Sequence, residues 1–179
     1  MKDLVTIADH DFKAVNYTSL AVIFVIMIFV LKSLALPIVL IISIEFAIFM
    51  NMAFAYFTNT SLPFIASIVV GTIQLGATID YAILMSTKYI EERKKKEAKE
   101  AMKETLSFTT PSIITSALCF FSATIGVGLY TKIDMIGSIC TLLARGSIIS
   151  MLTVLLILPS LLMTFDKLII KNKKLKGEK

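Results

Sequence analysis

Long apolar blocks alternate with short polar breaks along this chain, and the length of the blocks decides the fold class. Five predominantly apolar stretches occupy residues 15–31, 37–57, 64–87, 107–130 and 136–165. Between them lie Lys32-Ser33, then Asn59-Thr60-Ser61-Leu62-Pro63, a charged run from Lys88 to Glu104, and Thr131-Lys132-Ile133-Asp134. At a helical rise of about 1.5 Å per residue, about 20 apolar residues cross the hydrocarbon core of a bilayer. Each stretch therefore predicts a transmembrane helix. Backbone amides in lipid must be bonded within their own segment, so the expected fold is all-α: a polytopic membrane protein, an antiparallel bundle of five helices.

Composition agrees. Of 179 residues 56% are apolar and 17% charged, with no Trp, and the mean hydropathy is +0.84. A soluble domain carries about a quarter charged residues. With 7 Gly, 4 Pro and 2 Cys, disorder, collagen and a disulfide scaffold are excluded. Cys119 and Cys140 both fall inside spans, so no disulfide framework or metal-ligand spacing is implied. No Walker loop, nucleophile elbow or His-rich zinc motif occurs. The expectation is a protein that is not an enzyme and holds no cofactor or metal. The first sixteen residues are mixed, with Asp3, Asp9, His10 and Asp11, and form no signal peptide. The lone His10 in that polar segment reads as solvated.

The formal charge of +5 could suggest nucleic acid, but its distribution points to a membrane. Five spans put the termini on opposite sides, and 14 of the 18 Lys and Arg then fall on one side: Lys32, the seven of the 88–104 run, and six from Lys167 to Lys179. The positive-inside bias makes that side cytoplasmic. Residues 1–14 are then extracytoplasmic and 169–179 form a basic cytoplasmic tail. The run 88–104 reads as a cytoplasmic helix, with Glu92 four residues before Lys96. Its thin apolar stripe of Ile90, Ala98, Ala101, Met102 and Leu106 suits the headgroup layer, as a connector held by anionic lipid or as a docking element.

Charges inside spans carry the chemistry, because a central Asp costs about 2.5–3.5 kcal/mol on insertion scales. Asp80 lies eight residues before Lys88, about 12 Å from that boundary. Thr72, Gly76 and Asp80 share one helix face, where small residues let a neighbouring helix approach. Tyr81 follows with a phenol able to donate to a carboxylate. A carboxyl so placed can load and release protons; alternatively it is permanently bonded to hydroxyls. Glu45 stands at a similar depth and either joins the same relay or faces a polar interior. Arg145 sits about 30 Å from Asp166 along the fifth span, too far from Asp80's depth for a pair without a large tilt or a kink at Pro159. Arg145 is expected to bond carbonyls or line an outward vestibule. In the fourth span Ser112, Thr115, Ser116, Cys119, Ser122 and Gly126 make a small, polar stripe, read as glue between helices or as a substrate path.

These residues carry a resemblance. The string Gly71-Thr72-Ile73-Gln74-Leu75-Gly76-Ala77-Thr78-Ile79-Asp80-Tyr81, continuing to Ser86-Thr87-Lys88-Tyr89-Ile90-Glu91-Glu92, resembles the fourth helix of an MMPL-type half. MMPL transporters belong to the resistance–nodulation–division (RND) superfamily. Pro111-Ser112-Ile113-Ile114-Thr115-Ser116-Ala117-Leu118 is similar to the helix that follows. Arg145-Gly146-Ser147 through Leu158-Pro159-Ser160-Leu161-Leu162, with Phe165-Asp166-Lys167, is similar to the closing helix. The resemblance implies a bacterial inner-membrane exporter of lipids or other hydrophobic molecules, driven by proton entry. It makes the five spans helices two to six of an RND half, residues 1–14 the remnant of a porter-domain connection, and Asp80 and Tyr81 half of a proton relay. The relay would face the other half, or a second copy in a homodimer, with the proton as coupling ion and no other cofactor. The first helix, the porter domain and the other half are not in this sequence, so the chain is expected to be incomplete as an exporter. Two alternatives stand: a non-pumping membrane scaffold similar to sterol-sensing domains, and a protein-export auxiliary of the same superfamily, which usually lacks the Tyr after the Asp. Substrate selection is not legible, because it resides largely in porter and vestibule residues.

Overall fold

The computed structural model describes residues 2–31, 33–57 and 64–166. It is all-helical, with no strand among the described residues. The elements are α1 (Lys2–Leu31), α2 (Ala35–Phe57), α3 (Phe64–Arg93), α4 (Ala98–Tyr130), α5 (Asp134–Leu152), a five-residue π-turn (Thr153–Ile157) and α6 (Leu158–Thr164). The last three form one continuous rod, so five segments are long and apolar enough to cross a membrane. The chain is a multi-pass membrane protein. Lys32 and residues 167–179, which complete the expected charge asymmetry, lie outside the described residues, as does the break at 58–63.

Helix α3 is central and touches α1, α2, α4 and α5, while α4 and α5 make the most extensive pair. That hairpin closes on glycines. A Cβ on Gly128 would stand 3.3 Å from Cβ of Cys140, and one on Gly137 would stand 3.3 Å from Cγ2 of Thr131. The main core joins Met27 and Leu31 of α1, Leu36, Leu40 and Ile44 of α2, Ala82, Met85 and Tyr89 of α3, and Ile113 and Ala117 of α4 to Val154, Leu158 and Leu162 of the last rod. Outside this core, Val22, Val25, Ile26 and Phe29 of α1 and Phe46 and Phe49 of α2 are exposed, as lipid-facing side chains would be. Hydroxyls along the helices mostly bond the carbonyl one turn back, as Thr105, Thr109, Thr115 and Ser43 do.

Two expectations need correction. The charged run 88–104 is not one helix: α3 continues to Arg93, residues 94–97 turn the chain, and α4 starts at Ala98. The physical reason is a set of local bonds that favour reversal. Lys95 N–H and Lys96 N–H both donate to Glu92 O, and the Arg93 guanidinium donates to Lys96 O at 3.0 Å. Nor does the apolar stripe lie along headgroups. Ala101 and Met102 are buried, and Ile90 and Leu106 pack on the core, so the stripe faces the bundle.

Candidate functional site

Asp80 is the centre of the candidate site, and its surroundings differ from those expected. The stripe of Thr72, Gly76 and Asp80 does share one face of α3, but that face is open in this chain. All three residues are exposed, and a Cβ added to Gly76 would find nothing within 4 Å. Thr72 bonds its own helix, Oγ1 to Ile68 O at 2.9 Å. Among the described residues, no helix packs on Gly76, and Thr72 and Asp80 stay exposed. Tyr81 turns inward and is buried at the edge of the core. No hydrogen bond or ion pair links Asp80 to another described residue.

The stripe on α4 behaves in the same way. Ser112, Thr115, Ser116, Cys119 and Ser122 are exposed, while Thr105, Thr109, Ile113 and Ala117 form the face of α4 that packs inside the bundle. Within this chain the stripe is therefore not glue. Helices α3 and α4 pack against each other, and each carries such an exposed stripe. The exposed surface of α3 and α4 mixes these small and hydroxylic side chains and the Asp80 carboxylate with Ile73, Leu84 and Leu118. Lipid tails are a poor environment for such a surface, since an intramembrane charge is costly unless it faces a protein interior or a water-filled cavity.

The opposite side of α3 is closed by a polar core. Arg145 Nε donates to Asn51 Oδ1 at 3.0 Å, and Arg145 Nη2 donates to Asn51 O at 3.1 Å. Asn51 Nδ2 reaches Gln74 Oε1 at 2.8 Å, Gln74 Nε2 reaches Ser150 Oγ at 3.0 Å, and Thr78 Oγ1 lies 2.8 Å from the same Ser150 oxygen. Asn51, Gln74, Thr78 and Ser150 are buried, and they tie α2, α3 and α5 together. Gly146 makes this possible: a Cβ there would lie 2.6 Å from Asn51 Nδ2 and 2.7 Å from Gln74 Oε1. The Arg145 guanidinium also stacks over Phe54, 4.8 Å from the ring centre. Its bonds run to an amide and a carbonyl, with no carboxylate pairing to it among the described residues.

At the lysine-rich end a second polar cluster holds the rods together. Tyr89 donates to Asp166 Oδ1 at 2.8 Å, and the Arg93 guanidinium bonds both Asp166 oxygens at 3.0–3.2 Å. Lys88 pairs with Glu92 at 2.9 Å and sits over the Phe108 ring at 4.8 Å, while Lys96 pairs with Glu104. Glu104 beside it raises the pKa of the partly exposed Lys96 ammonium.

The family model that matches, described as the MMPL family, covers residues 1–178. The chain belongs to the MMPL family. That family is part of the RND superfamily, and its members are transporters rather than enzymes. No curated protein and no solved structure matches the chain. In this MMPL membrane bundle Glu45 is half-buried on α2, and its Oε1 is enclosed with no hydrogen-bond partner. The polar core and the Asp166 cluster were both missed by sequence reasoning. Asn51, Gln74 and Ser150 sit singly in apolar runs. For Asn51 and Gln74 a signal existed, since an amide inside a transmembrane helix needs a partner on another helix.

Proposed function

We propose that this chain is the membrane portion of one half of a proton-motive-force-driven exporter of lipids or other hydrophobic molecules, with Asp80 and Tyr81 as its share of the proton relay. One observation carries this reading: Asp80, a carboxylate inside a span with no hydrogen-bond or ion-pair partner among the described residues, lies exposed on the face of α3 that carries Thr72 and Gly76. A second half, from the same transporter or from another copy of this chain, covers that face and encloses the carboxylate. Proton binding and release at Asp80 then change the charge in the interface between halves, and that change can drive the halves between arrangements. The lysine-rich end is cytoplasmic and the N-terminal end extracytoplasmic, in a bacterial inner membrane, as the distribution of basic residues supports. Thr72 and Gly76 serve the contact between halves. Glu45 and Arg145 are supporting intramembrane groups: Arg145 braces α2 against α5, and Glu45 is half-buried with its Oε1 unbonded in this chain.

The test is Asp80→Asn in the assembled transporter, followed by export of its native substrate. Export collapses while membrane insertion and lipid binding persist. Undiminished export would sink the relay and favour a lipid-binding scaffold that does not pump.

A further inference from the structure

The rod formed by α5, the π-turn and α6 contains a phase problem that its sequence solves in an unusual way. Its buried positions toward α3 and the core include Ser150, Val154, Leu158, Leu162 and Asp166, four successive steps of four residues. An α-helix advances about 100° per residue, so the three steps from Ser150 to Leu162, the last of these positions inside α6, would drift about 120° and carry Leu162 well round the rod, with Asp166 one turn beyond it. Asp166 nevertheless faces α3 and is held there by Tyr89 and Arg93.

The π-turn accounts for the difference. It takes up one residue more than an α turn, which removes about 100° of rotation and leaves Leu162 about 20° from the direction of Ser150; past the helix end, Phe165 (φ −91°, ψ 8°) turns the chain on to Asp166. Its place is set by Pro159. In α geometry the proline ring would clash with the carbonyl of Leu155, and proline offers no N–H. The widened turn relieves this: Leu158 N–H donates to Thr153 O, five residues back, and Thr153 N–H is shared between Ile149 O and Ser150 O. The rod and α3 run parallel and are pinned at two levels. One pin is Thr78–Ser150 above the turn, and the other is Arg93–Tyr89–Asp166 below it.

We propose that the Pro159 π-turn and the Tyr89–Arg93–Asp166 cluster form a register latch. The turn keeps Asp166 directed at α3, and the clamped Asp166 in turn holds the turn in its wider winding. Release of Asp166 lets the inner segment of the rod rotate against α3. The latch stands whether or not Asp80 carries protons, because none of its members lies on the open face.

The test uses residue count. Deleting Leu155 together with Pro159→Ala gives a straight α-helix with Asp166 in its present phase, whereas inserting one alanine after Leu155 turns Asp166 away. In each backbone a double-mutant cycle of Arg93→Ala and Asp166→Ala is read as Tm shifts of the full chain in lipid nanodiscs. In the parent and the deletion, the double mutant loses clearly less Tm than the two single losses together. In the insertion the singles become additive. Coupling that survives the insertion, or vanishes in a folded deletion variant, overturns the latch. A measurement in the parent backbone covers any failure to fold. Asp166→Asn raises hydrogen exchange at least tenfold at the amides of 153–157, with no comparable change around Gly128 and Gly137. Unchanged exchange in the turn overturns it equally.

Discussion

Two glycines on one side of the chemistry and the other make opposite predictions under the same substitution. Gly146→Ala places a methyl carbon where Asn51 Nδ2 and Gln74 Oε1 now lie, at 2.6 and 2.7 Å, and also 3.0 Å from Gln74 Cδ. Neither neighbour is a free end. Asn51 is held by Arg145 and by Leu142 O at 3.2 Å, and Gln74 is held by Ser150. Overpacking of this kind costs about 1–3 kcal/mol. Each interhelical hydrogen bond displaced in a membrane protein adds about 0.6 kcal/mol, up to about 1.7. Replacing a mid-helix Gly by Ala returns about 1 kcal/mol of helix propensity. Taken together these terms predict a loss of about 2 kcal/mol. Gly76→Ala meets nothing within 4 Å, so only the propensity term acts, and the isolated chain gains up to about 1 kcal/mol. Equilibrium unfolding of the isolated chain in mixed micelles, followed by far-UV circular dichroism, reads both values. Equal effects of the two substitutions, or a neutral Gly146→Ala, would refute the reasoning. If a second half covers this face as proposed, the sign at Gly76 reverses in the assembly, because the partner then occupies the space that the methyl would take.

Other consequences are equally specific. Asp166→Ala strands the Arg93 guanidinium and lowers stability by about 2–3 kcal/mol, discounted from a fully buried pair because Arg93 remains 27% exposed. Tyr89→Phe removes only one bond to a charged group and costs about 1.5 kcal/mol in the same unfolding assay. Asp80→Asn changes the stability of the isolated chain by less than about 0.5 kcal/mol, since the carboxylate has no bonded partner there; a larger loss would mean that Asp80 is structural. Cys119, exposed on the open face, reacts with a membrane-permeant maleimide faster than Cys140 in the isolated chain, and is protected once the second half is in place. Equal labelling before and after assembly would place the contact between halves elsewhere.

The five membrane-crossing helices were legible in the sequence because insertion in lipid depends on local hydropathy, but α1 starts 13 residues before its apolar run, α3 ends six after and α4 starts nine before. What each helix faces was not legible. Lipid tails are as apolar as Leu, so burial leaves no apolar–polar alternation to read. On α2 the consequence is plain: Ser43 and Asn51 are buried while Phe46 and Phe49 are exposed. The Thr72–Gly76–Asp80 stripe was expected to pack against a neighbouring helix, and the α4 stripe to be glue or a substrate path, yet both are exposed here. Sequence alone had no means of telling a contact inside the chain from one with another polypeptide. The charged run 88–104 looked helical throughout because the bonds that turn it at 94–97 are backbone and guanidinium bonds, invisible to side-chain periodicity. Asp166 escaped notice for a different reason. Counted at α-helical pitch the positions leading to it rotate away from α3, and the π-turn before Pro159 together with the helix end at Phe165 brings it back.

Proton movement tests the central claim most directly. The assembled transporter, reconstituted in liposomes with a pH-sensitive dye inside, is given an inward proton gradient with and without substrate. Wild-type protein shows substrate-stimulated proton flux, and Asp80→Asn, with unchanged stability and assembly, shows none. Flux that persists at wild-type rate in Asp80→Asn would contradict the account.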